Sequence, residues 1–288
     1  WAGWEGARKL GALALSGGGQ STAQRLRAIV DCGATILVCT PTYALHMAAE
    51  AKKLDIDLPR QVPIRASIHA GEPGASIPST KKRIEEAWGG RCFDHPGATE
   101  VGAFGFECEL QPGGVHVNER EFIAEVVDPK TGKPVVDDAE GELVMTNLGR
   151  IGSPVIRYRT GDVVRPSHEP CPCGRPYLFL RGGVLGRVDD MVVIRGVNVY
   201  PSAIERIVRQ IQEIDEFRIE AVQTPGLTEL KITAEPRPGC VTVTAIGAEL
   251  SERIRSALGV RPVVEIVSPG ALPRFELKAR RFFKSARS

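Results

Sequence analysis

Strand-like and helix-like segments alternate through the first third of the chain, and this alternation is the strongest constraint on the fold. The apolar runs at residues 35–39 and 64–69 predict strands. Each run precedes a stretch with helical periodicity, at residues 43–53 and 79–88. Strands that alternate with helices at this spacing form a mostly parallel sheet, and ligands collect at the carboxyl ends of its strands.

A glycine-rich segment at residues 16–22 follows the apolar run 10–15, for which we expect a further strand. Free amides at the start of a helix bind anions, so a phosphate loop is one interpretation of this segment. The segment contains no lysine and no Gly-Lys-Ser/Thr ending. A tight turn between strand and helix is therefore the favoured interpretation.

Short alternating strands take over in the middle of the chain, between residues 107 and 164. Residues 122–127 and 142–146 are examples, and turns rich in glycine, proline and aspartate separate them. This pattern predicts antiparallel pairing.

The stretch at residues 186–201 divides the chain into residues 1–185 and residues 186–288. It consists of a turn, a charged pair, a β-branched run and a second tight turn. An ordinary linker followed by a β-hairpin is the simpler interpretation, and a hinge at Asp189 is the functional one. The part that follows should be a small α+β domain of about three strands and two helices, with helices at 202–211 and 243–258 and strands at 217–222, 230–234 and 263–267.

Composition excludes several classes of protein. The 288 residues are 42% hydrophobic and 25% charged, as in soluble globular proteins. A formal net charge of +2 gives no electrostatic argument for nucleic acid, and no apolar run is long enough to predict a membrane span. The seven cysteines are odd in number and scattered, which argues against a disulfide framework and indicates a reducing cytoplasm.

Five ordered motifs carry a family resemblance. They are Ala-Gly-Glu-Pro at 70–73, Gly-Ala-Thr-Glu at 97–100, Tyr-Arg-Thr-Gly-Asp at 158–162, Gly-Arg-Val-Asp-Asp at 186–190, and Leu-Pro-Arg at 272–274 with Lys278. Their order and spacing resemble the adenylate-forming enzymes, and most of all the phenylacetate-CoA ligase and coenzyme F390 synthetase branch. The resemblance runs from about Trp4 to Phe282. It implies an α/β fold, with the latter part of a large N-terminal domain of mixed sheets and helices followed by a small mobile α+β lid.

The resemblance implies an ATP-dependent, AMP-forming acid-thiol ligase. Such an enzyme would activate an aromatic carboxylic acid, similar to phenylacetate or benzoate, as acyl-AMP and transfer it to coenzyme A. The expected partners are the acid, ATP and CoA, without nucleic acid or membrane, and a homodimer is allowed. Transfer to an amine or a carrier protein is one alternative, and a catalytically silent nucleotide-binding module is another.

The family's functional residues can be carried over where the motifs match. Thr99 and Glu100 resemble the contacts to phosphate and Mg²⁺, Asp162 resembles the acid that accepts the ribose hydroxyls, and Arg187 resembles the arginine that reaches the nucleotide. Lys278 resembles the lysine that contacts the attacking carboxylate and the α-phosphate. The resemblance also implies further nucleotide contacts at Gly71, Glu72, Pro73, Asp94, His95, Pro96 and Gly97, and CoA contacts at Arg195, Gly196 and Asn198.

Two departures from the family pattern affect these expectations. The family's phosphate loop, which ends in Gly-Lys, has no match, and the chain begins at Trp1 rather than Met. We therefore expect this chain to be a processed or truncated piece, or to have residues upstream, and to bind AMP but turn over poorly. Pro96 stands where the family commonly has an aromatic residue that packs on adenine, so stacking should be weaker or come from elsewhere.

The segment Cys171-Pro172-Cys173-Gly174 resembles a metal knuckle, in which glycine lets backbone amides turn toward sulfur. Cys108 and His116 lie on preceding predicted strands that could bring them close. Three sulfurs and one imidazole suit tetrahedral Zn²⁺ in a closed, structural site. Four unligated residues are the equally weighted alternative.

Overall fold

The computed structural model describes residues 2–224, 227–240, 243–275 and 279–286. The chain divides into two compact units, one formed mainly by Trp1–Val184 and the other by Leu185–Arg274 together with Ala279–Ser288. Mobility of the second unit about Asp189 stays a prediction. No helix in the described ranges has both the length and the apolar character needed to cross a membrane.

The first unit combines helices with both parallel and antiparallel strands. Its helices are α1 (Ala2–Lys9), α2 (Thr22–Asp31), α3 (Pro41–Lys53), α4 (Leu58–Gln61) and α5 (Pro78–Trp88). Its strands are β1 (Ile36–Cys39), β2 (Ala66–His69), β3 (Arg91–Asp94), β4 (Gly97–Ala98), β5 (Gly102–Ala103), β6 (Gly105–Cys108), β7 (Gln111–Val117), β8 (Phe122–Val127), β9 (Gly141–Asn147), β10 (Tyr158–Val164), β11 (Pro166–Ser167) and β12 (Phe179–Arg181).

Strands β1, β2 and β3 form the predicted parallel sheet, in that order. Helices α2, α3 and α5 cover it with a core in which Leu26, Ala44 and Ile84 are fully buried. Proline at the first position of α3 and α5 suits a helix start because its missing N–H has no intrahelical partner there. The carboxyl ends of the three strands therefore open at one edge, beside the start of α3.

The strand expected at residues 10–15 is absent. Helix α1 ends at Lys9, and the residues that follow form no strand up to the start of α2. Leu10 and Leu13 are 87% and 84% exposed, so the apolar run has no surface to pack against in this unit. Without a neighbouring strand or an apolar contact, a short apolar run does not form a strand.

The antiparallel part of the first unit contains two sheets, as the alternating pattern predicted. One sheet contains β8, β9 and β10, and the other has the order β11-β12-β7-β6. A shared core lies between them, with Phe104, Leu143 and Leu180 almost fully buried. The β6–β7 hairpin begins shortly after the carboxyl end of β3, so this region adjoins the edge of the parallel sheet.

The second unit is the small α+β domain that the sequence predicted. It contains β13 (Gly186–Arg187), β14 (Val192–Ile194), β15 (Val197–Val199), α6 (Pro201–Arg209), β16 (Ile214–Thr224), β17 (Leu227–Pro236), α7 (Val243–Leu258), β18 (Val263–Ile266) and β19 (Phe282–Ala286). The described strands β18, β17, β16 and β19 form one sheet in that order, where about three strands were expected. The additional strand, β19, pairs in parallel with β16.

Strands β14 and β15 form the hairpin that the simpler interpretation of residues 186–201 predicted. Arg195 and Gly196, which connect them, have φ angles of 48° and 83°. Positive φ at both loop positions is the mark of a type I′ turn, whose twist matches that of paired strands. Glycine adopts this angle freely, so Gly196 has a structural reason to stand here apart from any ligand.

Two consecutive acids on β16 hold two arginines that are seven positions apart. Asp215 accepts a hydrogen bond of 2.8 Å from Arg274, and Glu216 accepts bonds of 2.5 and 2.8 Å from Arg281. Buried Glu235 on β17 also pairs with Arg274. Arg274 and Arg281, which flank residues 275–280, are thus both bound to the sheet of the second unit.

Candidate active site and a cysteine-histidine cluster

The carboxyl ends of β2 and β3 bring several predicted nucleotide contacts to one edge. His69 is in register with Asp94, and the amide of His95 donates to the His69 carbonyl at 2.9 Å. Gly71, with φ of 93°, lies in the turn that follows β2. The predicted contacts gathered at this edge are Gly71, Glu72, Pro73, Asp94, His95 and Pro96, with Gly97 next in the chain.

Glu72 is held against the start of α3. Its Oε1 accepts a 2.8 Å hydrogen bond from the amide of Thr42, and the side chain of Thr40 caps the same helix. A carboxylate at this position satisfies a free amide and interacts favourably with the positive end of the helix dipole. The loop after β2 is therefore tied to the helix after β1.

Asp94 lies in a tight, largely buried setting at the end of β3. Its Oδ2 accepts a short hydrogen bond from the Ser76 hydroxyl. Burial raises the pKa of Asp94 to about 6, against the opposing effect of the Ser76 hydrogen bond. A Cβ on Gly183 would lie 2.7 Å from Ser76 Oγ and 2.9 Å from Asp94 Oδ2, so only glycine fits beside this pair.

A buried ion pair, which no sequence motif predicted, supports the same strand end. The carboxylate of Glu107 accepts from Lys81 Nζ at 2.8 and 2.9 Å, from the Asp94 amide at 2.9 Å and from the Gly113 amide at 3.0 Å. The Glu107 side chain is only 1% exposed. Four hydrogen bonds from three donor groups offset the desolvation of this carboxylate, and the Asp94 backbone is fixed as a result.

Pro96 and His95 face inward rather than outward. Pro96 is buried, and a Cβ on Gly105 would lie 2.8 Å from its ring carbon Cγ. The proline ring therefore packs on the backbone of β6, a contact that an aromatic ring at this position could not make in the same way. Burial lowers the pKa of His95, so the imidazole is neutral near pH 7.

Thr99 and Glu100 occupy an exposed turn between β4 and β5. The guanidinium of Arg150, which lies in the loop after β9, donates from Nη1 to the carbonyl of Thr99 at 3.3 Å and to the carbonyl of Glu100. Arg150 was not among the predicted site residues. The turn that resembles a phosphate and Mg²⁺ contact thus has a cation beside it.

Asp162 lies on β10 at a local irregularity of the strand. The register shifts between Arg159 and Val163, and Gly161 has φ of 75°. The amide of Asp162 donates to the Thr160 hydroxyl at 3.0 Å. Bulges of this kind redirect a side chain out of the regular alternation of a strand, and here they redirect a half-buried carboxylate.

The remaining predicted residues belong to the second unit or lie outside the described residues. Arg187 forms a two-point ion pair with Asp189, with Nε–Oδ1 and Nη2–Oδ2 distances of 2.9 and 3.1 Å. This pairing lowers the pKa of Asp189. Arg195 pairs with Glu229 at 3.2 Å, and Asn198 is exposed on β15. Lys278 falls in residues 276–278, outside the described residues.

The structure brings the four predicted metal ligands together in the first unit. The ligand atoms of Cys108, His116, Cys171 and Cys173 all lie within 4.8 Å of one another. The Sγ atoms of Cys108 and Cys171 are 3.6 Å apart, and Cys173 Sγ is 3.7 Å from His116 Nε2. Gly174, with φ of 75°, completes the turn in which the Cys173 amide points to Cys171 Sγ at 3.5 Å.

These separations fit a tetrahedral metal site. A tetrahedron with Zn–S bonds of about 2.3 Å and a Zn–N bond of about 2.0 Å has edges of about 3.5 to 3.8 Å. Burial raises the pKa of Cys171 to about 11, whereas the Arg175 amide lowers the pKa of Cys173 to about 7. Burial also lowers the pKa of His116, which leaves a neutral imidazole, the form that binds metal.

Comparison with known proteins gives consistent matches. The AMP-binding enzyme C-terminal domain family matches residues 196–285. A phenylacetate-coenzyme A ligase of Thermus thermophilus is 31% identical over 291 residues, which cover 94% of this chain and 64% of that protein. The corresponding enzyme of Pseudomonas putida is 32% identical over 282 residues, which cover 95% of this chain and 63% of that protein.

A solved structure is similar across both units. A crystal structure of 2-hydroxyisobutyryl-CoA ligase in complex with 2-HIB-AMP matches with a TM-score of 0.92 and 32% identity, covering 99% of this chain and 62% of that one. Residues 196–285 therefore match the C-terminal domain of AMP-binding enzymes, and nearly the whole chain is similar to the phenylacetate-CoA ligases and to a related CoA ligase. The fold class inferred from the motifs is confirmed. The chain spans less than two thirds of the length of these relatives.

Proposed function

We propose that this chain is part of an ATP-dependent, AMP-forming ligase that activates a carboxylic acid as its adenylate and transfers the acyl group to coenzyme A. The observation that carries the proposal is the gathering of Gly71, Glu72 and residues 94–97 at the carboxyl edge of the parallel sheet, where ligands of such sheets bind. Its relatives named phenylacetate-coenzyme A ligase support the reaction class.

The residues have distinct tasks in this reaction. Asp162 presents two carboxylate oxygens, which suits the acceptance of two ribose hydroxyls. The edge formed by Gly71 and Asp94 would border the adenine. Thr99 would donate to phosphate, and the cations Arg187 and Lys278 would neutralise charge that develops when the acid attacks the α-phosphate and pyrophosphate leaves. The acyl adenylate would then react with CoA beside Arg195, Gly196 and Asn198.

Mg²⁺ is the metal that fits Glu100. The Glu100 carboxylate is exposed and forms no ion pair with another side chain in the described part of the chain. Mg²⁺ commonly takes one or two protein carboxylates and completes its shell with substrate phosphates and water. Bound there, the ion would supply charge neutralisation to the triphosphate.

An aromatic acid is the substrate we propose, because the curated relatives are named for phenylacetate. One observation favours a second candidate, a small aliphatic hydroxy acid, since the matched solved structure is named for 2-hydroxyisobutyrate at a similar identity of 32%. Both acid classes carry a carboxylate, so the edge of the sheet does not distinguish them.

The test combines binding with turnover. Calorimetry of the purified chain with AMP should give a saturable signal, which Asp162→Ala should remove. Pyrophosphate release with ATP and CoA is then measured against a panel of aryl acids and aliphatic hydroxy acids, and aryl acids should be preferred. Absence of AMP binding in the folded protein would contradict the proposed function, and preference for the hydroxy acids would favour the second candidate.

We also propose that Cys108, His116, Cys171 and Cys173 hold one structural Zn²⁺. The proposal is supported by two distances within this set of three thiols and one imidazole. The Sγ atoms of Cys108 and Cys171 are 3.6 Å apart, and Cys173 Sγ lies 3.7 Å from His116 Nε2. A closed four-ligand site leaves no position for substrate. No disulfide bond joins any of the seven cysteines, all of which lie in the described residues, and this supports a reducing compartment such as the cytoplasm.

Metal analysis tests the zinc proposal directly. The purified protein should contain about one zinc per chain, and Cys173→Ser should release it. Cys32→Ser is the matched control, because Cys32 is exposed and outside the cluster. A metal-free, folded protein after purification without chelators would exclude the site.

A further inference from the structure

Arg150 has an unusual environment for an arginine in this protein. It lies in the loop after β9, and Nη1 donates to the carbonyls of Thr99 and Glu100. A guanidinium carries five N–H donors, of which Nη1 supplies two. The other three, on Nε and Nη2, have no partner in the described ranges of the chain.

The charge of Arg150 is also unpaired by any acid among the described residues. Several other arginines of the same antiparallel region have carboxylate partners, as Arg157 has in Glu125 and Arg165 has in Glu140. A guanidinium bound only to carbonyl oxygens keeps its full charge and several free donors. Such a group is suited to an external anion, and its planar fork matches phosphate oxygens.

Holding the turn does not require this charge. Asn147 already ties the same turn to β9, because its Nδ2 donates to the Val101 carbonyl at 2.9 Å. The side-chain oxygen of Asn147 accepts a hydrogen bond from the backbone amide of Gly149 at 3.0 Å. The backbone amide of Asn147 donates to the Val155 carbonyl at 2.9 Å, and this bond closes the loop that carries Arg150. The loop is thus fixed to the turn by neutral contacts.

We propose that Arg150 binds the β- and γ-phosphates of ATP, and so the pyrophosphate that leaves. This inference rests on the proposed function, which assigns the turn at Thr99 and Glu100 to the triphosphate. Arg150 is fixed beside both residues by their own carbonyls, so its free donors are presented where that turn meets its ligand. AMP lacks these two phosphates, and its binding should depend little on Arg150.

The experiment compares two nucleotides in the same protein. Calorimetry with a non-hydrolysable ATP analogue and with AMP is performed on the unmodified chain and on Arg150→Gln, whose amide can still donate to the two carbonyls. Loss of a charged hydrogen bond to phosphate should lower the affinity for the ATP analogue by about tenfold or more. Affinity for AMP should change by less than about twofold, and Arg150→Lys should retain part of the ATP affinity because it keeps the charge.

Asn147→Ala is the matched control, because it removes a neutral contact to the same turn. It should lower the affinity for both nucleotides to the same extent. If Arg150→Gln also lowers both affinities equally, Arg150 merely positions the turn and the inference is wrong. If the unmodified chain is folded but binds neither nucleotide, the proposed function itself fails. Thermal melting of each variant establishes that the folds compared are the same.

Discussion

The cysteine-histidine cluster and the edge of the parallel sheet lie in the same unit, yet the fold completes only one of them. The cluster has all four ligand atoms within 4.8 Å, and three of its four residues are buried. At the sheet edge, Thr99 and Glu100 are exposed, and Arg187 belongs to the second unit. One site is closed by its own side chains, whereas the other leaves its charged groups available to ligands.

The difference shows how each site is related to folding. A closed metal site gains its geometry when the surrounding strands pair, so metal binding and folding are coupled. An open ligand site must remain accessible after folding, and its rigidity has to come from supporting contacts, here the bond from Thr42 at the start of α3 to Glu72 and the bond from the Asp94 amide to Glu107. Substitutions in the cluster should therefore lower the stability of the fold, whereas substitutions at the edge of the sheet should weaken ligand binding.

The largest effect is expected from disrupting the proposed zinc site. Cys171→Ser, or treatment with a strong zinc chelator, should lower the free energy of unfolding by several kcal/mol, about 3 or more, because metal binding contributes to folding free energy. Urea unfolding measures the change, with Cys32→Ser as control. Coincident unfolding curves for the treated and untreated proteins would show that the cluster does not hold the fold together.

Substitution of Lys278 should separate the two half-reactions. In a complete enzyme that catalyses both of them, Lys278→Ala is expected to slow acid-dependent ATP–pyrophosphate exchange by about 10² to 10³-fold, because a charge that stabilises the transition state is lost. Thioester formation from preformed acyl adenylate should remain largely intact. Lys284→Ala, which removes a nearby cation on β19, is the control. Equal loss in both half-reactions of a folded protein would refute the role of Lys278.

The buried ion pair of Lys81 and Glu107 behind the sheet edge should contribute to the stability of the fold. Lys81→Met leaves the Glu107 carboxylate buried without its partner and should cost about 3 kcal/mol of stability. The neighbouring Lys82→Met breaks only an exposed pair with Glu86 at 3.8 Å and should cost less than about 1 kcal/mol. Chemical unfolding measures both variants. Similar losses would mean that Glu107 does not support the strand end.

The smallest effect concerns pH. The pKa of Asp94 is raised to about 6 in the folded state, above that of an unfolded aspartate. The folded protein therefore binds more protons between these values, and stability decreases as pH rises through this window and then levels off. Relative to Asp94→Asn, the free energy of unfolding of the unmodified protein should fall by about 2 kcal/mol between pH 4 and pH 6.5. Parallel pH profiles for the two proteins would rule out the shift.

The sequence predicted those parts of the fold whose signals are local. The parallel strands and their helices follow from apolar runs and helical periods, and the β14–β15 hairpin follows from its turn. Strand β19 was missed because its sequence, Phe-Phe-Lys-Ser-Ala, shows no regular alternation of apolar and polar side chains. Arg281 becomes intelligible only once β16 supplies Glu216, which lies 65 positions away in the sequence.

The candidate sites show the same limit. That Cys108, His116, Cys171 and Cys173 come together was predictable, because a Cys-Pro-Cys-Gly turn is itself distinctive and the other two residues lie on preceding strands. Arg150 and the pair of Lys81 and Glu107 were not, since each is an ordinary charged residue in its local sequence. Their significance arises from contacts across the fold, which no single-sequence pattern encodes.

The two consecutive acids of β16 have a consequence for how this protein can evolve. Asp215 and Glu216 bind Arg274 and Arg281, so the segment between the two arginines is attached to the sheet at both ends. The entropy of closing a loop changes only slowly with its length. Insertions, deletions or replacements between the two arginines should therefore leave the sheet intact, and selection can act on that segment for its chemistry alone.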